Sequence, residues 1–384
     1  MNNSPQTKPG ILAGIRIIEF AGIGPAPFTA MMLADQGADV IRIDRADAPV
    51  YGRPELDQLN RGKRSLILDL KSDEGRSTAL RLIAKADALL EGYRPGVMER
   101  LGLGPACCLS SNPKLVYGRM TGWGQTGPLS ARPGHDLNYL ALTGALHAIG
   151  PRNGGPVPPL NLIADFGGGG MLLAYGVTTA LLNVQRGGAG QVVDAAMIDG
   201  VASMMAMVYS YRSMGLWQNA RASNLLDGGA AHYGAYQCSD GRWVAVAALE
   251  PAFFSRLLAA LGIEPEQFGD PQDSALWQAQ QEQLKKVFAA RTRESWTEYL
   301  QDKDVCVTPV LDLDEAPRHP HNIERGTYVP ASDTEVFFQP GVSPRYSGYP
   351  AAPPGRPCLP GEHTAQILAE LEGLEAAMAK QAPQ

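Results

Sequence analysis

Cysteine is scarce in this chain: Cys107, Cys108, Cys238, Cys306 and Cys358 are five among 384 residues, an odd number with no CxxC spacing. That pattern argues against a disulfide framework or a zinc site and favours a reducing compartment. Positive charge is also in short supply. The net charge is -6 and no long basic run interrupts the acidic balance, so nothing points to a nucleic-acid partner. One short cluster, Arg61, Lys63 and Arg64, reads either as a solvated turn or as a holder for a phosphorylated small molecule. The longest apolar stretch, Met171 to Val184, is too short to span a bilayer. Residues Met1 to Gly10 are polar and lack the apolar core of a signal peptide, so a cytoplasmic protein with no membrane partner is expected. The sequence shows no internal repeat.

What is present reads as an ordinary soluble protein, 45% hydrophobic and 19% charged, and long enough that two domains are the default. Ile15 to Phe20 is a β-rich run, Pro27 to Gln36 is helical, and Ala38 to Asp44 reads as a second strand, which together make a βαβ unit. Gly22-x-Gly24 and the strand-end Asp44 mimic a dinucleotide-binding fingerprint, but Pro27 stands where a third glycine should allow close helix packing. Arg45, directly after Asp44, suggests instead a contact to a phosphate or an adenine face. Ser65 to Leu70, Ala88 to Glu91, Leu115 to Met120 and Gln191 to Ala195 are further strands, with a helix over Asp73 to Lys85. Arg94 follows its strand at the end where open α/β sheets bind ligands. Thr121 to Pro128 is a glycine-rich loop, either a close approach to a ligand or a tight turn. Met197 to Met214 reads as one long apolar helix and Leu216 to Ala230 as a crossing segment. A hairpin follows, with strands Gly234 to Cys238 and Arg242 to Ala248 around Ser239-Asp240-Gly241. After it come amphipathic runs and a last strand at Val307 to Leu311.

The chemistry concentrates between Gly134 and Gly170. His135 and Asp165 each stand near glycine and lead into an apolar, helix-like run, so they are candidates for a proton-transfer pair over a cleft. Each also has a plain structural reading: a helix-start imidazole satisfied locally for His135, and an N-cap for Asp165. Four glycines after Asp165 are a poor helix start unless backbone must lie against something else. A helix N-terminus lowers a carboxyl pKa, so Asp165 could donate a proton only if burial raised it again, whereas a nucleophilic aspartate would favour the lowered value. Glu250 sits at a strand end before Pro251 and a helix, again either functional or an ordinary helix-start glutamate. His319 and His321 flank Pro320, but no carboxylate or cysteine pattern supports a metal there, and none is expected. Met204, Met207 and Met214 could line an acyl pocket or be core.

Long ungapped segments carry a resemblance: Gly134-His135-Asp136-Leu137-Asn138-Tyr139-Leu140-Ala141-Leu142, Pro159-Leu160-Asn161-Leu162-Ile163-Ala164-Asp165-Phe166, Leu226-Asp227-Gly228-Gly229-Ala230 and Val305-Cys306-Val307-Thr308-Pro309-Val310-Leu311. On these, from about Leu12 to His363, the chain resembles the family III CoA-transferase superfamily and, within it, the α-methylacyl-CoA racemase branch. The resemblance implies an α/β fold with a Rossmann-like large domain and a small α+β domain, interlocked as a homodimer. The corresponding boundaries are 1–200 for the large CoA-binding domain, 201–230 for a linker helix and crossing segment, 231–314 for the small domain, and 315–384 for a return linker and a C-terminal helix docking on the large domain. It implies catalysis by His135 and Asp165 on opposite faces of C2 of an acyl-CoA thioester, with Glu250 bonded to His135, and no cofactor. CoA contacts are implied for Arg45, Ile67, Leu68, Asp69, Leu70, Arg94, Gly134, Asp136, Leu137, Asn138 and Tyr139. In the transferase branch the equivalent of Asp165 is a nucleophile and that of His135 is typically not histidine. Having both residues favours racemisation over CoA transfer, and the presence of all three ionisable groups, His135, Asp165 and Glu250, disfavours mere CoA binding. The C-terminal Gln381-Ala382-Pro383-Gln384 lacks a peroxisomal signal, so no such targeting is expected.

Overall fold

The computed structural model describes residues 10–47, 52–331, 337–350 and 352–381. Residues 1–9 and 382–384, on which the targeting expectations mainly rest, lie outside the described residues. The chain forms two compact units, one of residues 1–139, 161–204 and 320–384, the other of residues 140–160 and 205–319. Residues 140–160, placed by the sequence reading in the large domain, cluster with the second unit.

In the first unit, six strands form one parallel sheet: β1 (Arg16–Phe20), β2 (Asp39–Asp44), β3 (Arg64–Ile67), β4 (Ala88–Glu91), β5 (Val116–Thr121) and β6 (Gln191–Ala196). The spatial order is β3-β2-β1-β4-β5-β6, so the winding direction reverses between β1 and β4. Helices cover both faces of such a sheet, which is why Ile17, Ile18, Phe20, Val40, Ile41 and Ile43 run as continuous apolar strands and are all buried. Helix α1 (Pro25–Asp35) starts with proline at its first position, where a missing N–H costs nothing, and helix α2 (Asp73–Ile83) is capped by Ser72, whose hydroxyl accepts from Gly75 N. The C-terminal helix Thr364–Gln381 docks on this unit through Ile367 and Leu371 in the core and through Arg64–Glu370 and Arg81–Glu375 ion pairs.

The basic cluster is neither a solvated turn nor a phosphate site. Arg61 pairs with Asp35 at 2.6 Å, Lys63 with Glu19 at 2.7 Å with neither side chain exposed, and Arg64 with Asp39 and Glu370. Burial pushes the Glu19 carboxyl up and the Lys63 amine down, and each partner opposes the other's shift. All three cations therefore hold the β3 region in place.

The second unit is built on a three-stranded antiparallel sheet, β7 (Tyr233–Gln237), β8 (Trp243–Ala247) and β9 (Val307–Pro309). Its core gathers Tyr236, Phe254, Phe268, Phe288 and Trp296, with the Tyr236 and Phe288 rings stacked at 5.3 Å. The apolar run expected as one helix breaks at Met205 into Met197–Met204 and Ala206–Ser213. Met204, Met207 and Met214 on it are about half exposed or more, so they are not core. Among the described residues, no helix is long and apolar enough to cross a membrane, and no group of three or more His, Cys, Asp or Glu could hold a metal ion.

Candidate active site

At the reversal of strand order, the carboxyl ends of β1, β2 and β4 surround a cavity of about 500 Å³. Its walls include Gly22, Gly24, Arg45, Ile67, Tyr93 and Pro360. Open α/β sheets bind ligands at this position. The dinucleotide fingerprint fails here for two physical reasons. Asp44, which would hold a ribose, is buried and already accepts from Arg42 Nε at 2.8 Å and Ser65 Oγ at 2.5 Å. Pro25 and Pro27 remove N–H donors from the first turn of α1, where a pyrophosphate would need them. Arg45 remains half exposed, 3.6 Å from Asp47, with its guanidinium available at the rim.

The four β3-region positions divide. Ile67 lines the cavity, whereas Leu68 and Leu70 belong to the core and can offer a ligand only backbone. Asp69 shapes the next turn, its Oδ1 accepting from Lys71 N. Arg94 is exposed on the loop after β4, which Glu91 holds by accepting from Tyr93 N at 2.8 Å while Arg119 Nε donates to its other oxygen.

His135 stands exposed immediately before the helix Asp136–Leu142. Its N–H is taken by Asn138 Oδ1 at 3.1 Å, and its carbonyl accepts from Asn138 N, so Asn138 fixes the backbone from which the imidazole projects. Leu137 is partly exposed beside it. Behind these residues the Tyr139 ring meets Trp123 edge-on, centroids 4.7 Å apart, and its hydroxyl donates to Gly134 O. Burial, then the charge of Asp165, pushes the Tyr139 phenol up to about 12, while Arg94 works the other way. Glycine is required around that ring: a Cβ at Gly122 would lie 2.0 Å from Tyr139 Cζ, and one at Gly134 2.7 Å from Cε1. The glycine-rich loop thus receives a side chain of its own chain at Gly122. Gly122→Ala is expected to displace the ring and to lower stability by about 1–3 kcal/mol, the usual cost of overpacking. A urea midpoint equal to that of the parent protein would reject this account.

Asp165 is not an N-cap. It lies in a π-helix, Leu162–Met171, whose N-cap position is Asn161. The glycine run serves close packing: a Cβ on Gly200 of the Met197–Met204 helix would lie 1.8 Å from Gly168 O, and one on Gly170 2.5 Å from Phe28 Cδ1. Asn161 Nδ2 donates to Asp165 Oδ2 at 3.3 Å, and Gly24 presents backbone to the same carboxylate, an ideal Cβ there being 3.6 Å from Oδ2. The carboxyl is half-buried, and desolvation raises its pKa, with Asp136 adding to the rise; the Asn161 hydrogen bond and the His135 imidazole oppose it. Asn161 and Gly24 did not stand out in the sequence as contacts of Asp165. The four-residue spacing from Asn161 to Asp165, one helical turn, is the signal that could have shown the first.

In the second unit, Glu250 occupies the N-cap position of the helix Pro251–Leu261 but makes no side-chain cap bond and is exposed. The carboxylate is therefore not used up at its own helix start. Buried His232 packs against that helix, its ring 5.4 Å from Phe254.

The profile of CoA-transferase family III matches residues 12–364. The chain belongs to that family. It is 44% identical over 94% of its length to the α-methylacyl-CoA racemase of Mus musculus, covering 93% of that protein, and 41% identical over 94% to the racemase of Homo sapiens, again covering 93%. It is also 30% identical over 97% of its length to the succinyl-CoA–L-malate CoA-transferase β subunit of Chloroflexus aurantiacus, covering 96% of it. Among solved structures, a CaiB/BaiF family protein from Brucella suis superposes with a TM-score of 0.81 at 26% identity, over 95% of this chain and all of that one. The parallel six-stranded sheet is the part of the expected fold that this likeness supports.

Proposed function

We propose that this member of the family is a racemase that removes and returns the C2 proton of a 2-methyl-branched acyl-CoA, interconverting its R and S forms through an enolate. The 41–44% identity to the mouse and human racemases over 94% of the chain carries this reading, and the burial of Asp165 supports it. Two-sided proton exchange needs one group that starts as a base and another that starts as an acid. Near neutrality His135 can be the first. Asp165 can be the second only if its pKa is raised, and burial raises it.

In the forward direction, His135 takes the C2 proton from one face and Asp165 delivers its own to the opposite face. In reverse the roles exchange. Glu250 fixes the imidazole tautomer and stabilises its charged form. The first N–H groups of the helix that His135 opens have no partner within the helix and favour the enolate oxygen. The cavity at the strand ends takes the nucleotide end of CoA, with Arg45 and Arg94 toward phosphate and Ile67 against the base. The reaction needs no cofactor beyond the CoA already in the substrate.

A homodimer fits an apolar stripe on the helix that follows Asp165. Met171, Tyr175 and Leu182 are 49, 69 and 49% exposed and share one face, a pattern that in water calls for a covering partner. The free cysteines, including exposed Cys107, fit a reducing cytoplasm.

The transferase reading, in which Asp165 attacks the thioester, has the Chloroflexus relative in its favour. A nucleophilic carboxylate gains from a lowered pKa, and that of Asp165 moves the other way. The deciding test is proton NMR of the protein with one enantiomer of a 2-methylacyl-CoA in deuterated water. Loss of the C2 proton signal together with optical purity is expected. A folded, CoA-binding protein that leaves the C2 proton in place would sink the proposal.

A further inference from the structure

We propose that Asp136 is a positioning residue that joins the two proton-transfer groups: its backbone follows His135 directly, and its carboxylate fixes the backbone of Asp165. Asp136 is 6% exposed, and its Oδ2 accepts from both Ala164 N and Asp165 N, each at 2.8 Å. One carboxylate oxygen thus holds two successive amides of the π-helix's first turn, 28 and 29 residues along the chain. The side chain faces this backbone, so any contact from Asp136 to CoA comes from its main chain.

Asp136 Oδ1 is buried without a hydrogen-bond partner among the described residues, an arrangement that is costly for a polar atom. A buried oxygen left without a donor calls for a role beyond capping. Its neighbour supplies one, because the negative charge of Asp136 makes ionisation of Asp165 less favourable. Other groups around the Asp165 carboxylate cannot do this. His135 acts in the opposite sense, Asn161 donates a hydrogen bond to the ionised form, and Tyr139 is a phenol whose ionisation burial opposes. From α1 the nearest element is the backbone of Gly24, and the Met197–Met204 helix meets the π-helix with Met197, Val201 and Met204. Asp136 therefore sets the spacing of the pair and makes ionisation of Asp165 less favourable.

This inference rests on the racemase reading, and two variants separate its failure from that reading's failure. Asp136→Asn keeps an acceptor for both amides and removes the charge. The limb of the pH–rate profile that reports Asp165 should move to lower pH, and the Asp165 carboxyl carbon, assigned by its loss in Asp165→Asn, should titrate lower in 13C NMR. Asp136→Ala removes the acceptor too, and C2 exchange should fall about 100-fold, the scale of an ångström's misplacement; Asp136→Asn should retain much more. Coincident titration of Asp165 in Asp136→Asn and the parent protein would overturn the electrostatic part, and parent-like exchange in Asp136→Ala the positional part. If Asp136→Ala does not fold, the Asn variant decides through its limb and its retained rate. If the parent protein itself exchanges no C2 proton, the racemase reading fails, while the carboxyl titration still tests the link.

Discussion

Asp165→Asn is expected to abolish inversion at C2 in both directions, by about 10²–10⁴-fold, the usual contribution of a positioned acid or base. The amide keeps the size of the side chain and can still meet Asn161, which lies 3.3 Å from Asp165 Oδ2, so the site should remain assembled. What it cannot do is carry a transferable proton. Exchange without inversion should survive for the enantiomer whose C2 proton faces His135, because the imidazole can remove that proton and return deuterium to the same face. The measurement is C2 deuterium incorporation followed beside optical rotation, starting from each enantiomer in turn. Retention of inversion would remove Asp165 from the reaction. Loss of both exchange and inversion from both enantiomers, with a hydroxylamine-trappable enzyme ester in the parent protein, would make Asp165 a nucleophile and the protein a CoA-transferase.

His135→Ala is expected to give the mirror image. Inversion is lost again by about 10²–10⁴-fold, but the surviving exchange belongs to the opposite enantiomer, with Asp165 now the sole base. The imidazole is exposed and its backbone is pinned by Asn138 and by its own place at a helix start, so its removal should leave the fold intact. Exchange slowed equally from both enantiomers would sink the assignment of the two groups to two faces. The pair of variants is more informative than either alone, since only a two-base site produces complementary survivors. The pH dependence carries a further sign: Asp165 is a better base above its raised pKa, so the exchange surviving in His135→Ala should grow as pH rises through it.

The sequence by itself determined the local elements and singled out His135 and Asp165 as the candidate reacting groups. Strand runs such as Ala88–Glu91 and the hairpin around Ser239-Asp240-Gly241 are written in short-range patterns, and the structure reproduces them to within a residue or two. The His135 and Asp165 segments stood out because each sets an ionisable residue beside glycine before an apolar run, and four glycines are a poor helix start unless backbone must lie against something else. Tertiary structure decided whatever depends on residues distant along the chain. The cluster Arg61, Lys63 and Arg64 looked available to a phosphate because its partners lie far away, Glu370 being 306 residues from Arg64. The π-helix and the break at Met205 also escaped the sequence, since apolar periodicity does not distinguish a wider turn or a one-residue interruption from a continuous α-helix. Most consequential is the pKa of Asp165. Its position at a helix start argued for a lowered value, and only the folded chain, which buries the carboxyl and sets Asp136 beside it, reverses the sign.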